Sequence, residues 1–115
     1  MWHQGENDCT SDEKLLSHKE KFITMITSLR RDLNAEDLPL LIGELADEIA
    51  PRWGLGERPA EMNRRYHEIA AILPHCSVVS AKGLSQKPDG LHFDSVALRE
   101  FGHRYFAEYL RLLGE

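Results

Sequence analysis

The sequence lacks several features that would place it in a special class of proteins. It has only two cysteines in 115 residues, Cys9 and Cys76, which is too few for the disulfide framework of a small secreted domain. We therefore expect two reduced thiols. No apolar run approaches the roughly 18 residues that a membrane-spanning helix needs, and no signal peptide is visible. The default expectation is a cytoplasmic protein that does not enter a membrane.

Basic charge is also scarce. Lys and Arg total 14 against 19 Asp and Glu, which gives a formal net charge of -5. Nucleic-acid binding needs clustered cations that displace counterions, and the only basic clusters are Arg30-Arg31 and Arg64-Arg65. Each is typical of a solvated helix face, so we predict no nucleic-acid partner. The 42% hydrophobic content in a chain of this length fits one globular domain.

Three amphipathic helices are predicted from apolar residues at three- and four-residue spacings. The first runs from about residue 11 to residue 33, after a capping-box pattern in which Thr10 would be the N-cap. The second follows Pro59, a residue favoured at the first helical position, and ends before Pro74. The third runs from Ser95 to Leu113.

Two short apolar runs lie between these helices and predict buried strands. They are Leu38–Leu45 and Cys76–Ser80, and Trp2-His3 would be the end of a third strand. Strands that alternate with helices predict right-handed crossovers and a parallel sheet with helices on both faces. The predicted class is therefore α/β.

Asp89 and His92 form the first candidate site, in a loop between the second strand and the last helix. A carboxylate can hold an imidazole in the tautomer and orientation that a general base needs. The same residues also fit a plain turn, because Asp-Gly is a common turn dipeptide. The position of the loop favours function, since sites in open parallel sheets form outside the carboxyl ends of the strands.

Gln4-Gly5-Glu6-Asn7 forms the second candidate site. Gly5 allows a close approach of the backbone to a ligand, and Gln4 or Asn7 offers an N–H donor for a developing oxyanion. The alternative is a frayed polar tail. This block follows a strand end, as the Asp89 loop does, so the two motifs would converge at the same edge of the sheet.

A zinc site would have to draw on the residues that are able to ligate it: His3, Cys9, His75, Cys76 and His92. None of them shows a recognised ligand spacing, so we predict no metal and no cofactor. His18, His67 and His103 lie on predicted helices and are expected to be surface or satisfied histidines. Trp53 would either line a substrate edge or, as is more common, pack under its Gly-rich loop.

The two motifs, in this order, resemble those of the SGNH (GDSL-type) hydrolases. Within that superfamily the chain is similar to the carbohydrate O-acetylesterases, which include sialate O-acetylesterases and acetylxylan esterases. Residues 2–8, WHQGEND, are similar to the W-x-Q-G-E-[SN]-D block of that branch. Residues 88–93, PDGLHF, match its D-x-x-H-F block, and residues 102–105, GHRY, match the G-x-R-[YL] continuation. The resemblance runs from residue 2 to about residue 110 and covers the C-terminal portion of the family domain.

This resemblance implies a Ser-His-Asp triad that hydrolyses acetyl esters on sugars. His92 would be the general base and Asp89 the third triad member. Gln4 would be an oxyanion-hole donor, with Gly5 and Asn7 in the block that shapes the hole. Glu6 would be a buried residue that braces the block. The implied fold is a three-layer parallel sheet flanked by helices, SGNH- or flavodoxin-like, and incomplete because the N-terminal strands are lacking.

The family nucleophile is a serine in an upstream G-x-S-type turn, and no segment of this chain corresponds to it. Ser80 and Ser85 are near His92 in sequence, but neither lies in such a turn. Residues 1–115 would then be the C-terminal portion of a single domain, inactive or nearly so alone. The alternatives are a non-catalytic interaction module that pairs through an exposed apolar sheet edge, with itself or with a partner, and an unrelated metal-binding domain.

Overall fold

The computed structural model describes residues 1–114, which form α-helices on both sides of a small parallel sheet. In chain order the elements are α1 (Asp12–Asp32), β1 (Leu40–Gly43), α2 (Arg58–Ile72), β2 (Cys76–Val79) and α3 (Ser95–Leu113). Short 3₁₀ turns occupy Glu6–Cys9 and Pro51–Trp53. The predicted α/β class and the alternation of strands and helices are confirmed.

The sheet is centred on β1. Strand β1 pairs in parallel with β2, with Leu40 opposite Cys76 and Gly43 opposite Val79. On its other side, Trp2 forms an isolated parallel bridge to β1. The Trp2 N–H donates to the Leu41 carbonyl at 2.8 Å, and the Gly43 N–H donates to the Trp2 carbonyl at 2.8 Å. The predicted third strand is therefore present as a single bridging residue.

Alternate side chains of β1 face two different helical layers, as the pleat of a strand requires. Leu40 and Ile42 pack into a core that α1 and α2 share, with Phe22 and Tyr66 among its members. Leu41 packs on the other face, against the core formed with α3. The helix–sheet–helix layering predicted from the sequence is present within residues 1–114.

Strand β2 differs from the prediction of a strand buried on both faces. Ser77 and Val79 are buried, whereas Cys76 and Val78 on the opposite face are only partly buried. The reason is position, because β2 lies at the edge of the sheet and the α1–α2 layer covers its face incompletely. The apolar run in the sequence predicted a strand, but it did not indicate whether that strand lies at the centre or at the edge of the sheet.

The N-cap of α1 is Ser11, so the assignment of that role to Thr10 was wrong. The Ser11 hydroxyl oxygen accepts from the Lys14 N–H at 3.2 Å, and Ser11 has the extended backbone typical of an N-cap. The Thr10 hydroxyl instead donates to the Asn7 carbonyl at 2.8 Å. Thr10 thereby closes the 3₁₀ turn that precedes the helix.

Arg30 braces the end of the sheet where both strands begin. Its side chain is buried, and the guanidinium donates to the carbonyls of Pro74 at 2.7 Å, Leu38 at 2.6 Å and His75 at 3.2 Å. His75 has a positive φ of 52°, so the chain turns sharply there. One buried cation thus donates to three main-chain acceptors, of which the His75 carbonyl also accepts from the Leu40 N–H at 2.8 Å.

Both cysteines are free thiols, and both are protected by the fold. Burial raises the pKa of the Cys9 thiol to about 12 and that of the Cys76 thiol to about 11. The thiolate forms that react with oxidants or metals are therefore disfavoured at neutral pH. The expectation of two reduced thiols agrees with this arrangement.

The outer side of α3 carries large apolar side chains that remain exposed within residues 1–114. Val96, Leu98, Phe106, Leu110 and Leu113 are each more than half exposed. No helix within residues 1–114 is long and apolar enough to span a membrane. Several exposed apolar side chains on one helix are typical of an interaction surface.

Candidate active site

The loop between β2 and α3 forms a small hairpin with Asp89 at its tip. The Asp94 N–H donates to the Ser85 carbonyl at 3.2 Å, and the Lys87 N–H donates to the His92 carbonyl at 2.8 Å. The Gly90 N–H closes the tip on the Lys87 carbonyl at 2.9 Å. Gly90 has a φ of 67°, in the left-handed region that favours glycine.

Asp89 and His92 are in direct contact. The Asp89 Oδ2 lies 2.7 Å from the His92 Nδ1, and the Oδ1 accepts from the main-chain N–H groups of Leu91 at 2.9 Å and His92 at 3.0 Å. The hydrogen bond from the His92 ring, followed by those from the two amides, holds the pKa of the Asp89 carboxyl well below its usual range. An ionised Asp89 favours the tautomer in which Nδ1 carries the proton, which leaves Nε2 as a proton acceptor.

A second loop clamps the backbone of this hairpin. The Trp53 indole N–H donates to the Asp89 carbonyl at 2.7 Å, and Arg52 donates to the Pro88 carbonyl at 2.8 Å. The Ala50 N–H donates to the Gly90 carbonyl at 2.8 Å. The sequence analysis considered Trp53 as a substrate edge or as a residue packed under its Gly-rich loop, and it gave no signal for Arg52. These residues lie 36 positions from their partners, beyond the reach of any local pattern.

Two side chains, one on α3 and one directly after β1, form hydrogen bonds to the main chain that leads from β2 into this loop. Arg104 donates to the carbonyls of Ser80 and Lys82, both at 2.9 Å, and its Nε pairs with Glu100 at 3.1 Å. Glu44, directly after β1, accepts from the Ala81 N–H at 3.1 Å. Arg104 is the arginine of the G-x-R-Y segment, and its geometry gives that motif a structural role.

The Gln4 block is held in place from α2. The Trp2 indole N–H donates to the Gln4 carbonyl at 3.0 Å, and the Tyr66 hydroxyl donates to the same oxygen. A Cβ added at Gly5 would lie 2.5 Å from the Tyr66 hydroxyl oxygen, so only glycine allows this approach. The Gln4 backbone is thus held by two hydrogen bonds, whereas its side chain is exposed.

Glu6 and Asn7 complete the block in a 3₁₀ turn. The Glu6 Oε2 accepts from the Gly5 N–H at 3.2 Å, as a bracing residue would, but the side chain is half-buried, whereas the sequence predicted a buried one. It remains accessible because it lies at the rim of an open cleft. Asn7 is exposed, and its carbonyl accepts from the Thr10 hydroxyl at 2.8 Å.

Asp8 and His18 form a second Asp–His pair behind this turn. The Asp8 Oδ2 lies 2.8 Å from the His18 Nδ1, and His18 is only 6% exposed. The ring stacks on Phe22 and meets the edge of Tyr66, and its buried Nε2 has no hydrogen-bond partner within residues 1–114. The expectation that His18 is a surface or satisfied histidine was therefore wrong: it is buried, and only one of its nitrogens is satisfied.

The two motifs meet in one cleft of about 340 Å³. The residues that line it come from both motifs and from the loop after β1: Gln4, Glu6, Asn7, Thr10, Trp53, Leu55, Leu91 and His92. Asp89 contacts His92 through the Nδ1 of the ring. Gly5 packs closely against the Tyr66 hydroxyl. The predicted site residues are thus brought together around a shared space, and Trp53 lines it.

The residues considered as zinc ligands do not form a single cluster within residues 1–114. His3 stacks on Phe93, and desolvation lowers the pKa of its imidazole. Cys9 is buried and contacts the Gly5 carbonyl, whereas His75 and Cys76 lie at the opposite end of the sheet. Within the described part of the chain, no three His, Cys, Asp or Glu side chains are grouped so that they could hold a metal ion.

The two serines nearest to His92 in sequence are engaged elsewhere. Ser80 Oγ accepts from the Lys82 N–H at 3.1 Å, and the Ser85 hydroxyl hydrogen-bonds to Asp94. Among residues 1–114, the hydrogen bond of the His92 ring is made to Asp89. Neither serine is placed as a nucleophile for this histidine.

Comparison with known proteins identifies the family. A sequence model of the carbohydrate esterases described as sialic acid-specific acetylesterases matches residues 1–111. The chain belongs to this family. The resemblance to the carbohydrate esterases that the motifs suggested is thereby confirmed.

A relative and a solved structure agree with this assignment. A probable carbohydrate esterase of Arabidopsis thaliana is 30% identical over 110 residues, which are 96% of this chain and 39% of that protein. A crystal structure of an Arabidopsis protein with the same locus name superposes with a TM-score of 0.82 at 27% identity, covering 96% of this chain and 42% of that one. This member of the carbohydrate esterase family therefore spans about two fifths of the length of these relatives.

Proposed function

We propose that this chain carries the base half of a carbohydrate O-acetylesterase site. The observation that supports the proposal is the shared cleft, which is lined both by an Asp-oriented histidine and by amide-bearing residues of the Gln4 block. A general base opposite a set of N–H donors is the arrangement that acyl transfer from an ester requires. In this proposal the nucleophile is a serine outside residues 1–115.

His92 is the proton carrier of the proposed reaction. Its Nε2 takes the proton from the serine hydroxyl as the oxygen attacks the acetyl carbonyl carbon. Asp89 stays ionised and stabilises the imidazolium that forms. The bond between the acetyl carbonyl carbon and the sugar oxygen then breaks, and His92 gives the proton to that departing oxygen, which leaves the acetyl group on the serine. Water repeats the sequence on the acetyl-serine and releases acetate.

The Gln4 block stabilises the negative charge that develops on the carbonyl oxygen. Gln4 carries a neutral amide donor on a backbone to which Trp2 and Tyr66 donate hydrogen bonds, and Asn7 carries a second amide that lines the same cleft. Gly5 allows the block to lie directly against Tyr66. Donors fixed before the reaction cost no reorganisation in the transition state, which is why they contribute strongly.

The substrate class in this proposal is an acetylated sugar. The cleft combines the exposed indole of Trp53 and the apolar side chains of Leu55 and Leu91 with the polar edge of Glu6 and Asn7. Sugar rings present both apolar C–H faces and hydroxyl groups, so a mixed wall of this kind suits them. Sialic acid esters and acetylated xylan are the two substrates that the family resemblance suggests.

We also propose that residues 1–115 are the C-terminal portion of one SGNH-type domain and are inactive alone. Support comes from the parallel sheet with helices on both faces and from the superposition on about two fifths of the Arabidopsis structure. The other serious candidate is a non-catalytic interaction module, which the exposed apolar face of α3 favours.

A hybrid enzyme tests the chemistry. The 110 matched residues of the Arabidopsis esterase are replaced by those of this chain, and hydrolysis of p-nitrophenyl acetate and of acetylated sugars is measured beside the unmodified parent. We expect acetyl-ester hydrolysis that His92→Ala lowers by about 10³- to 10⁴-fold in kcat. The exposed His103→Ala variant is the matched control and retains the rate.

Two results would contradict the proposal. One is a hybrid that folds and hydrolyses acetyl esters equally well with His92→Ala. The other is a purified chain of residues 1–115 that hydrolyses p-nitrophenyl acetate at ordinary enzyme rates, with the activity abolished by His92→Ala. The second result would place a nucleophile within this chain.

A further inference from the structure

One aromatic contact joins the two motifs that line the proposed cleft. The His3 ring stacks on the Phe93 ring, with centroids 5.4 Å apart and an interplanar angle of 24°. His3 directly precedes Gln4 in the chain, and Phe93 directly follows His92. The contact therefore connects the residue before the proposed oxyanion donor to the residue after the proposed general base.

Phe101, on α3, anchors both of these rings. Its centroid lies 5.2 Å from that of His3 and 5.3 Å from that of Phe93, with interplanar angles of 80° and 85°. Stacked and edge-to-face pairs at such distances are the favourable arrangements of aromatic rings. Phe93 and Phe101 are only 4% and 2% exposed, and close packing holds buried rings in defined positions. His3 therefore stacks on a fixed surface.

Other contacts hold the two motifs separately. The Gln4 carbonyl accepts from Trp2 and Tyr66, whereas the main chain of residues 88–93 is bonded to the loop after β1. Within the described part of the chain, no hydrogen bond joins residues 2–8 to residues 88–93. The stacked rings thus supply a side-chain link that the hydrogen bonds do not.

The charge state of His3 suits a place beside the proposed base. Desolvation lowers the pKa of the His3 imidazole, Glu6 and the Glu44 main chain oppose this effect, and His92 adds to it. A lowered pKa keeps His3 neutral at neutral pH, so it adds no positive charge next to the imidazolium that His92 would become. The W-x-Q-G-E-[SN]-D block leaves this position unspecified, so the family resemblance gives His3 no role.

We propose that His3 is a positioning residue, whose stacking on Phe93 sets the His92 base at the correct distance from the Gln4 donor. This role rests on the proposed function, because acyl transfer needs the base and the oxyanion donor around one carbonyl group. A misplacement of about 1 Å in such a site can lower the rate by about 10²-fold. His3 itself exchanges no proton in the reaction.

Two substitutions in the hybrid enzyme separate the ring of His3 from its nitrogens. His3→Phe keeps an aromatic ring next to Phe93, whereas His3→Gln keeps a polar side chain without a ring. We expect His3→Gln to lower kcat by about 10- to 100-fold with KM within about twofold, and His3→Phe to stay within about threefold of the parental kcat. The exposed His103→Gln is the matched control and should retain the parental kcat.

Nuclear magnetic resonance of the free chain tests the contact without catalysis. His3→Gln should remove the ring-current shift that His3 imposes on the Phe93 ring protons. It should also move the amide resonance of His92, which is remote from residue 3 in the sequence. His103→Gln should leave both signals in place. Urea unfolding of each variant shows that the chains compared are folded.

Several results would overturn the proposal. They are a His3→Gln hybrid with the parental kcat, a free chain in which the His92 amide does not respond to His3→Gln, and an equal loss of kcat in His3→Phe. The last result would assign the role to the nitrogens of His3. A hybrid that responds to His92→Ala but not to His3→Gln contradicts this inference only, whereas hydrolysis that does not respond to His92→Ala contradicts the proposed function.

Discussion

The indole N–H of Trp53 lies 2.7 Å from the carbonyl oxygen of Asp89. Trp53 lies in the loop after β1, and Asp89, which orients His92, lies in the loop after β2. The geometry of the proposed general base therefore depends on the loops that follow both strands. The hairpin itself contributes only a few main-chain hydrogen bonds. The hydrogen bonds from Ala50, Arg52 and Trp53 therefore add to the few that the Asp89 hairpin makes within itself.

Substitution of Gly90 should disturb this arrangement. Gly90→Ala places a Cβ 2.5 Å from the Cβ of Ala50 and keeps a φ of 67°, so we expect a loss of about 2 kcal/mol or more in the free energy of unfolding. Gly83→Ala is the matched control, with a φ of 78° and open space around its Cβ, and should cost about 1 kcal/mol. Urea unfolding measures both. Equal losses would contradict the close contact with Ala50.

The Asp89 carboxylate should make the free energy of unfolding depend on pH in the acid range. Its pKa is lowered in the folded chain, first by the His92 ring and then by the amides of Leu91 and His92. A lowered pKa stabilises the fold above the unfolded value of about 3.9, and the stabilisation is lost as pH falls through the folded value. We therefore expect the wild-type chain to lose more stability than Asp89→Asn between about pH 5 and pH 2. Parallel pH profiles of the two proteins would refute this interpretation.

His18 should be a strong determinant of stability although it is remote from the cleft surface. His18→Ala removes a buried ring that stacks on Phe22 and leaves Asp8 without its partner. We expect a loss of about 3 kcal/mol, together with shifted amide resonances in the Glu6–Cys9 turn. The exposed His103→Ala should change stability by no more than about 0.5 kcal/mol. A loss for His18→Ala as small as that of the control would show that the pair does not brace the turn.

Substitutions of the neighbouring residues Arg30 and Arg31 on α1 should lower the free energy of unfolding by very different amounts. Arg30→Met removes the guanidinium donor from the carbonyls of Pro74, Leu38 and His75. The His75 carbonyl keeps the Leu40 N–H as a donor, so we expect a loss of about 2 kcal/mol. Arg31 is 68% exposed and contacts only the adjacent Asp32 within residues 1–114, so Arg31→Met should cost no more than about 0.5 kcal/mol. Thermal unfolding of the two variants distinguishes them, and similar midpoints would mean that the strand ends do not depend on Arg30.

The sequence was sufficient for the elements and for the convergence of the two motifs. Apolar periodicity located the three α-helices. The Asp89–His92 loop and the Gln4 block were predicted to lie at the same edge of the sheet because each motif follows a strand. These inferences depend on local spacing and on the geometry of parallel sheets. The structure brings the residues concerned around one cleft.

The contacts that hold the site in place could not be predicted in the same way. Trp53 meets Asp89 across 36 positions, and Asp8 meets His18 across 10 positions. In neither pair do the two residues share an element whose period would relate them. The partial exposure of β2 was missed for a related reason, since hydrophobicity does not reveal whether a strand is central or at an edge.

The most direct test of the central claim is a double-mutant cycle on kcat for acetyl-ester hydrolysis in the hybrid enzyme. If Asp89 acts only through His92, each single substitution, Asp89→Asn and His92→Ala, should lower kcat strongly, and the double variant should be no slower than His92→Ala alone. That result would show that the pair works as one unit. Independent losses that multiply in the double variant, or an Asp89→Asn variant with the parental rate, would contradict the claim that Asp89 orients the catalytic base.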